Sequence, residues 1–172
     1  MPERLTIADL STLDRDAFVS AVGAVFEHSP WVMEQAWEKR PFGSRDAFLA
    51  ALGDVLREAR PERQLSLINA HPELAGKLAI RGGLTADSAR EQAGAGLAEC
   101  SPEEFARLQQ LNAAYREKFG WPFIVAVKGL NRQQIIAEMT RRIERTPDEE
   151  FAEALAQILR IASFRLDDLI AD

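Results

Sequence analysis

The chain has 172 residues, of which 47% are hydrophobic and 28% charged, and its formal net charge is −6. This balance is typical of a globular protein with one sizeable core and excludes a disordered chain. The acidic charge argues against nucleic acid or an anionic membrane surface as the main partner. No apolar run approaches the roughly 20 residues that a membrane-spanning helix needs.

Cysteine and histidine are scarce, with Cys100, His28 and His71 as the complete set. One cysteine cannot form an internal disulfide, and the sequence shows neither a signal-peptide pattern nor a peroxisomal C-terminal signal, so we expect a cytoplasmic protein. No metal-ligand spacing occurs, and we predict no metal and no cofactor. Cys100 has no basic neighbour to activate it and is not predicted to be a nucleophile. His28, between two predicted helices, is expected to be structural.

Four helices are predicted in the first half of the chain. Asp14, Ser29 and Ser44 each precede an apolar-periodic segment as N-caps, and Pro61 begins a helix that ends near His71. The first of these helices is expected to bury Phe18, Val22, Val25 and Phe26.

Capping pairs mark the helices of the second half. They are Ser101 with Glu104, Asn131 with Gln134, and Thr146 with Glu149. Gly120 is expected to end the first of these three helices, and the last is expected to run from about Pro147 to Ile170.

The segment from Trp121 to Val127 is the only one that looks extended. A single short strand has no partner, so we predict a buried connector between helices rather than a sheet. The fold class predicted is therefore all-α, with one compact domain of about eight helices over residues 1–172.

His71 stands at a predicted helix boundary. Pro72 disfavours the α conformation for the residue before it, which places the imidazole on a connection and not on a regular helical face. A histidine that only caps a helix and hydrogen-bonds locally is the alternative interpretation.

A small polar face is predicted on the helix that begins near Thr85. Ser88, Glu91 and Gln92 stand at i, i+3 and i+4 and therefore share one face, next to small residues. A hydroxyl, a carboxylate and an amide side by side suit a compact polar ligand, whereas a solvated helix face is the alternative.

Arg165 lies in the middle of the apolar stripe predicted for the last helix. The stripe consists of Phe151, Leu155, Ile158, Ala162, Arg165 and Leu169. A buried guanidinium without a partner costs several kcal/mol, so Arg165 either pairs with an internal carboxylate or binds an anionic ligand.

Five segments together resemble one family. Residues 71–76 (HPELAG), 88–97 (SAREQAGAGL), 119–124 (FGWPFI), 27–31 (EHSPW) and 161–166 (IASFRL) are similar to motifs of the 2-oxo-4-hydroxy-4-carboxy-5-ureidoimidazoline (OHCU) decarboxylases. The resemblance spans nearly the whole chain and keeps the order of the motifs.

The resemblance implies an all-helical homodimer that converts OHCU, a small-molecule substrate of urate degradation, to (S)-allantoin and carbon dioxide. It implies that His71 is the catalytic histidine and that Glu91 lies in the substrate pocket. Our hypothesis from the chemistry is that His71 donates the proton and that Glu91 orients the imidazole. Substrate contacts are implied for Pro72, Ser88, Gln92, Phe123, Ile124, Val125, Val127 and Arg165.

The chemistry is compatible with these residue types. Because the carboxylated carbon of OHCU belongs to a conjugated ring, the ring itself can accept the electron pair that decarboxylation leaves behind. The protein then needs to orient the carboxylate, stabilise negative charge and deliver a proton. A non-catalytic helical interaction module, or an enzyme for another cyclic ureide, remains the alternative.

Overall fold

The computed structural model describes residues 3–76 and 82–171. Within these ranges the chain forms nine α-helices, two short 3₁₀ turns and no strand longer than an isolated bridge between Leu5 and Ile170. Helices α1 to α9 are Ile7–Thr12, Arg15–Val22, Trp31–Trp37, Arg45–Glu58, Pro61–Ala70, Ala86–Gly94, Pro102–Phe119, Arg132–Arg142 and Pro147–Leu166. The all-helical prediction is confirmed for the described part of the chain. No helix there is long and apolar enough to span a bilayer.

The helices group into two compact units. The first contains the described residues up to Ala70 together with those from Ile158 onward, and the second is His71–Gln157. Helix α9 therefore contributes to both units. The single domain expected over residues 1–172 stays a prediction.

Three phenylalanines form an aromatic cluster in the core of the first unit. Phe18, Phe42 and Phe48 are buried, with ring centroids between 4.7 and 6.2 Å apart. Asp14 and Ser44 cap α2 and α4 as predicted, and each accepts a hydrogen bond from the backbone N–H three residues further on. These caps fix where the helices that carry the cluster begin.

Two expectations for this unit are wrong. The Ser29 hydroxyl does not cap α3 but donates to the backbone carbonyl of Glu27 at 2.8 Å, because a short local hydrogen bond competes with capping. Helix α2 ends at Val22, so Val25 and Phe26 are buried beyond the helix and not on its face.

The helices of the second unit begin at the predicted capping residues. Ser101, Asn131 and Thr146 each form a reciprocal hydrogen-bonded pair with the residue three positions later. Gly120 ends α7 with a φ of 86°, a conformation that glycine adopts without the penalty of a Cβ. These caps fix both ends of the long helix that faces the predicted site segments.

A buried ionic cluster joins three helices of the second unit. The Glu150 carboxylate, at the start of α9, accepts hydrogen bonds from the Tyr115 hydroxyl at 2.7 Å, Arg142 Nε at 2.9 Å and Arg145 Nη1 at 3.1 Å. Arg142 and Glu150 are both 0% exposed. Burial, together with the Glu150 carboxylate, raises the pKa of Tyr115, so its hydroxyl stays a hydrogen-bond donor to a higher pH than that of a free tyrosine.

The predicted stripe on the last helix is partly wrong. Phe151 and Leu155 are only half-buried, while Glu150 and Ala154 are fully buried in their place. The helix ends at Leu166 instead of Ile170, and Leu169 is exposed beyond it. At the start of the helix, the buried face is shifted by one residue from the predicted one. The ionic cluster, rather than apolar packing, determines which residues are buried there.

Replacing Glu150 with Gln is expected to destabilise the protein by about 3–5 kcal/mol, because Arg142 would remain buried without an opposing charge. Urea unfolding at pH 7 measures the loss. Asp148→Asn is the matched control, an acid-to-amide change at an exposed position of the same helix. It should cost less than about 1 kcal/mol. Equal unfolding midpoints for the two variants would contradict the role given to the cluster.

Candidate active site

His71 directly follows the last residue of α5, as predicted, and is 7% exposed. Pro72 comes next, and the two residues that follow it, Glu73 and Leu74, lie outside any helix. The imidazole is therefore carried by irregular backbone whose conformation must be fixed by neighbouring groups.

Helix α6 presents the polar face that the sequence predicts. Ser88 and Gln92 are buried and Glu91 is half-buried. Thr85 caps the helix, since its hydroxyl accepts a hydrogen bond from the backbone N–H of Ser88 at 3.2 Å. The helical spacing that places these three side chains on one face is confirmed.

Gln92 holds the backbone that follows His71. Its Oε1 accepts a hydrogen bond from the N–H of Ala75 at 3.0 Å, and its Nε2 lies 3.5 Å from the carbonyl oxygen of Glu73. Ala75 has a φ of 51°, a left-handed conformation that costs an ordinary residue about 1–2 kcal/mol. The amide of Gln92 thus serves the loop, and its predicted contact with substrate stays a prediction.

The connector 121–127 is buried throughout and contains no strand, as predicted. Two of its backbone polar groups are bound by side chains. The Ile124 carbonyl accepts a hydrogen bond from Arg142 Nη1 at 2.7 Å, and the Ala126 N–H donates to Oε1 of Gln157 at 2.9 Å. The predicted substrate contacts of Phe123, Ile124, Val125 and Val127 stay predictions, but these residues lie in a backbone that side chains bind at Ile124 and Ala126.

Arg165 pairs internally. Its Nη2 donates to the Glu27 carboxylate at 2.9 Å and its Nη1 to the Val25 carbonyl at 3.0 Å, and both charged side chains are buried. Of the two alternatives for a buried guanidinium, the structure shows pairing with an internal carboxylate. An additional contact with an anionic substrate stays a prediction.

The roles of His71, Glu91 and Arg165 toward one substrate also stay predictions. His71 and Glu91 belong to the second unit, whereas Arg165 belongs to the first. His28, expected to be structural, is exposed beside the Arg165 pair, with Nε2 3.9 Å from Glu27 Oε2.

A cavity of about 520 Å³ lies within the second unit. Its lining is mainly apolar and includes Ala75, Ala89, Gln92, Ala93, Leu97 and Phe105. Gln92 and Ala75 therefore adjoin open space as well as each other. No group of three or more histidine, cysteine or acidic side chains that could hold a metal ion occurs within residues 3–76 and 82–171.

Sequence reasoning missed the side chains that hold the loops. Asn112 interrupts the buried face of α7, between Leu108 and Tyr115, and Arg142 ends the buried face of α8. A polar residue within an apolar stripe was the signal available for both, and it was the same signal that singled out Arg165.

The fold and these side chains define a class of protein: over its described residues it is all-helical, with a buried histidine on irregular backbone that is bound, a few residues further on, by a helix with a polar face. The sequence model of OHCU decarboxylases matches residues 11–167 of the chain. OHCU decarboxylases of Halalkalicoccus jeotgali and Mus musculus are 41% and 34% identical to it, over 96% of this chain and over 92% and 93% of their own lengths, respectively. The chain belongs to the OHCU decarboxylase family.

Solved structures agree with this fold. The crystal structure of an (S)-allantoin synthase matches 96% of this chain and 54% of its own, with a TM-score of 0.77 at 27% identity. A crystal structure of OHCU decarboxylase in the presence of (S)-allantoin matches with a TM-score of 0.68 at 20% identity, over 93% of this chain and 100% of its own, and supports the fold alone.

Cys100 is expected to react slowly with iodoacetamide at pH 7, because partial burial raises the pKa of its thiol and further lowers the fraction present as reactive thiolate. Mass spectrometry of the intact protein at pH 7 measures the alkylation, with the same protein in urea as the fast control. The Cys100→Ser variant should retain the wild-type catalytic rate. Rapid alkylation of the native protein, or loss of activity in this variant, would assign Cys100 a chemical role.

Proposed function

We propose that the chain is a carboxy-lyase that converts OHCU to (S)-allantoin and carbon dioxide in urate degradation. The observation that carries this proposal is the match of residues 11–167 to the OHCU decarboxylase family, together with a buried His71 followed by a loop whose backbone is bound by side chains. In the reaction, the substrate carboxylate leaves as carbon dioxide, the electron pair of the broken bond enters the conjugated ring, and the ring takes up one proton.

His71 donates that proton in this proposal. Its buried position keeps the transfer away from bulk water, and delivery to one face of the ring explains a single enantiomer of allantoin. Glu91, half-buried on α6, hydrogen-bonds the imidazole and fixes its tautomer.

Three further predicted residues supply hydrogen-bonding and charged groups for the polar groups of the substrate. Ser88 supplies a hydroxyl and Gln92 an amide from the same helical face as Glu91, and these groups suit the ureido and ring amide edges. Arg165, already oriented by Glu27, offers its guanidinium to the anionic charge of the substrate.

No organic cofactor is needed in this scheme, because the ring of the substrate accepts the electron pair itself. We also propose a homodimer in the cytoplasm, on the basis of the family resemblance and the sequence composition.

The proposal is tested by generating OHCU from urate in situ and following allantoin by circular dichroism. Wild-type protein should produce one enantiomer well above the rate of spontaneous decay. His71→Asn should lower the rate about 10²–10⁴-fold, because a general acid contributes that much, while the far-ultraviolet spectrum remains that of a folded helical protein. Wild-type turnover no faster than spontaneous decay would eliminate the activity, and near-normal turnover by His71→Asn would eliminate the assigned proton donor.

The homodimer is tested separately by sedimentation equilibrium at micromolar protein. We expect a mass twice that of the chain over a tenfold range of concentration. A monomer mass throughout this range would contradict the dimer without affecting the catalytic proposal.

A further inference from the structure

The backbone that follows His71 runs alongside helix α7 and is bound by it residue by residue. The Leu74 carbonyl accepts a hydrogen bond from Asn112 Nδ2 at 2.9 Å, and the Ala75 carbonyl accepts one from Gln109 Nε2 at 2.8 Å. Gln109 and Asn112 are three residues apart and therefore neighbours on one face of the helix. Two side-chain amides thus hold two consecutive carbonyls of the loop.

The same helical face extends one further turn. Arg116 Nε donates to the Glu73 carboxylate at 2.8 Å, so residues 75, 74 and 73 meet Gln109, Asn112 and Arg116 in that order. Arg116 is exposed and Glu73 is half-buried, so water screens this ion pair and it contributes little to stability. The side-chain amides of Gln109 and Asn112 are therefore the main groups by which this helix fixes the loop.

Asn112 occupies a position that apolar packing would fill with a hydrophobic residue. It is buried, and among the described residues its Oδ1 has no hydrogen-bond partner. Burying an amide with only one of its two polar atoms satisfied is unfavourable. The one hydrogen bond that the structure shows for this buried amide goes to the Leu74 carbonyl, and it fixes the loop.

Ala75 shows why the loop needs this hold. Its φ of 51° is a backbone conformation that residues with a Cβ rarely adopt. Its N–H is bound by Gln92 from α6 and its carbonyl by Gln109 from α7. Both polar groups of the strained residue are therefore fixed by side chains from two helices.

A short and stiff connection links this residue to the imidazole. Pro72 has a fixed φ and restricts the backbone of His71 as well. Few rotatable backbone bonds remain between His71 and Leu74, so fixing Leu74 and Ala75 restricts where the imidazole can lie.

We propose that Asn112 and Gln109 are positioning residues, which place the His71 imidazole by holding the Leu74 and Ala75 carbonyls. This inference rests on the proposed function of His71 as proton donor. Neither amide is assigned a contact with substrate, since each acts through the loop.

The test compares Asn112→Leu and Gln109→Leu with Gln110→Leu, the same kind of substitution at an exposed neighbouring position of the same helix. The first two variants should lower kcat about 10- to 100-fold with little change in KM, because a displaced proton donor affects the transition state and not ground-state binding. Gln110→Leu should retain wild-type kcat. Gln109 is only half-buried, so its variant tests the proposal even if Asn112→Leu fails to fold.

A second readout observes the imidazole directly. The chain has two histidines, so protein labelled with ¹³C-histidine gives two ring signals, and the His28→Gln variant assigns them. The His71 signal should shift or broaden in Asn112→Leu and Gln109→Leu but not in Gln110→Leu. A kcat within twofold of the control, or a reduced kcat with an unchanged His71 signal, would overturn the positioning role.

Different experimental results would show that the proposed function, rather than the positioning role, is wrong. In that case wild-type protein would not accelerate the reaction, or His71→Asn would remain active, whereas the His71 signal would still report whether the two amides place the imidazole.

Discussion

Buried backbone outside a helix must find hydrogen-bond partners, and the predicted site residues of the second unit depend on this constraint. Among the described residues, which form no sheet, side chains supply several of these partners. The loop that follows His71 receives them from Gln92, Gln109 and Asn112, and the connector 121–127 receives them from Arg142 and Gln157. The segments predicted to meet the substrate are therefore the segments in which side chains hold the main chain.

The side chains that hold the connector are themselves fixed. Arg142 binds the Ile124 carbonyl and lies over the Phe123 ring, with its guanidinium carbon 4.4 Å from the ring centroid. Glu150 balances its charge and also accepts a hydrogen bond from Tyr115. Since breaking a buried pair leaves an uncompensated charge, this cluster ties the conformation of the connector to the stability of the second unit.

The sequence predicted the helices and their ends better than it predicted which side chains bind each other. Capping boxes such as that of Ser101 depend on residues three positions apart and were found correctly, and the helix boundary at His71 followed from Pro72. The sequence could not predict the partner of Arg165, because Glu27 lies 138 residues away along the chain. The left-handed backbone at Ala75 carries no sequence signal, since alanine does not favour that conformation. Asn112 did carry one, as an amide within an apolar stripe.

The central claim is that His71, placed by its loop, gives the substrate its proton. A crystal structure of the protein with (S)-allantoin tests this most directly, since it shows which groups surround the product. We expect a ring nitrogen of His71 within hydrogen-bond distance of the allantoin ring, Glu91 bonded to the other nitrogen, and the Leu74 and Ala75 carbonyls still bound by α7. Allantoin bound in a well-ordered site away from His71 would contradict the account.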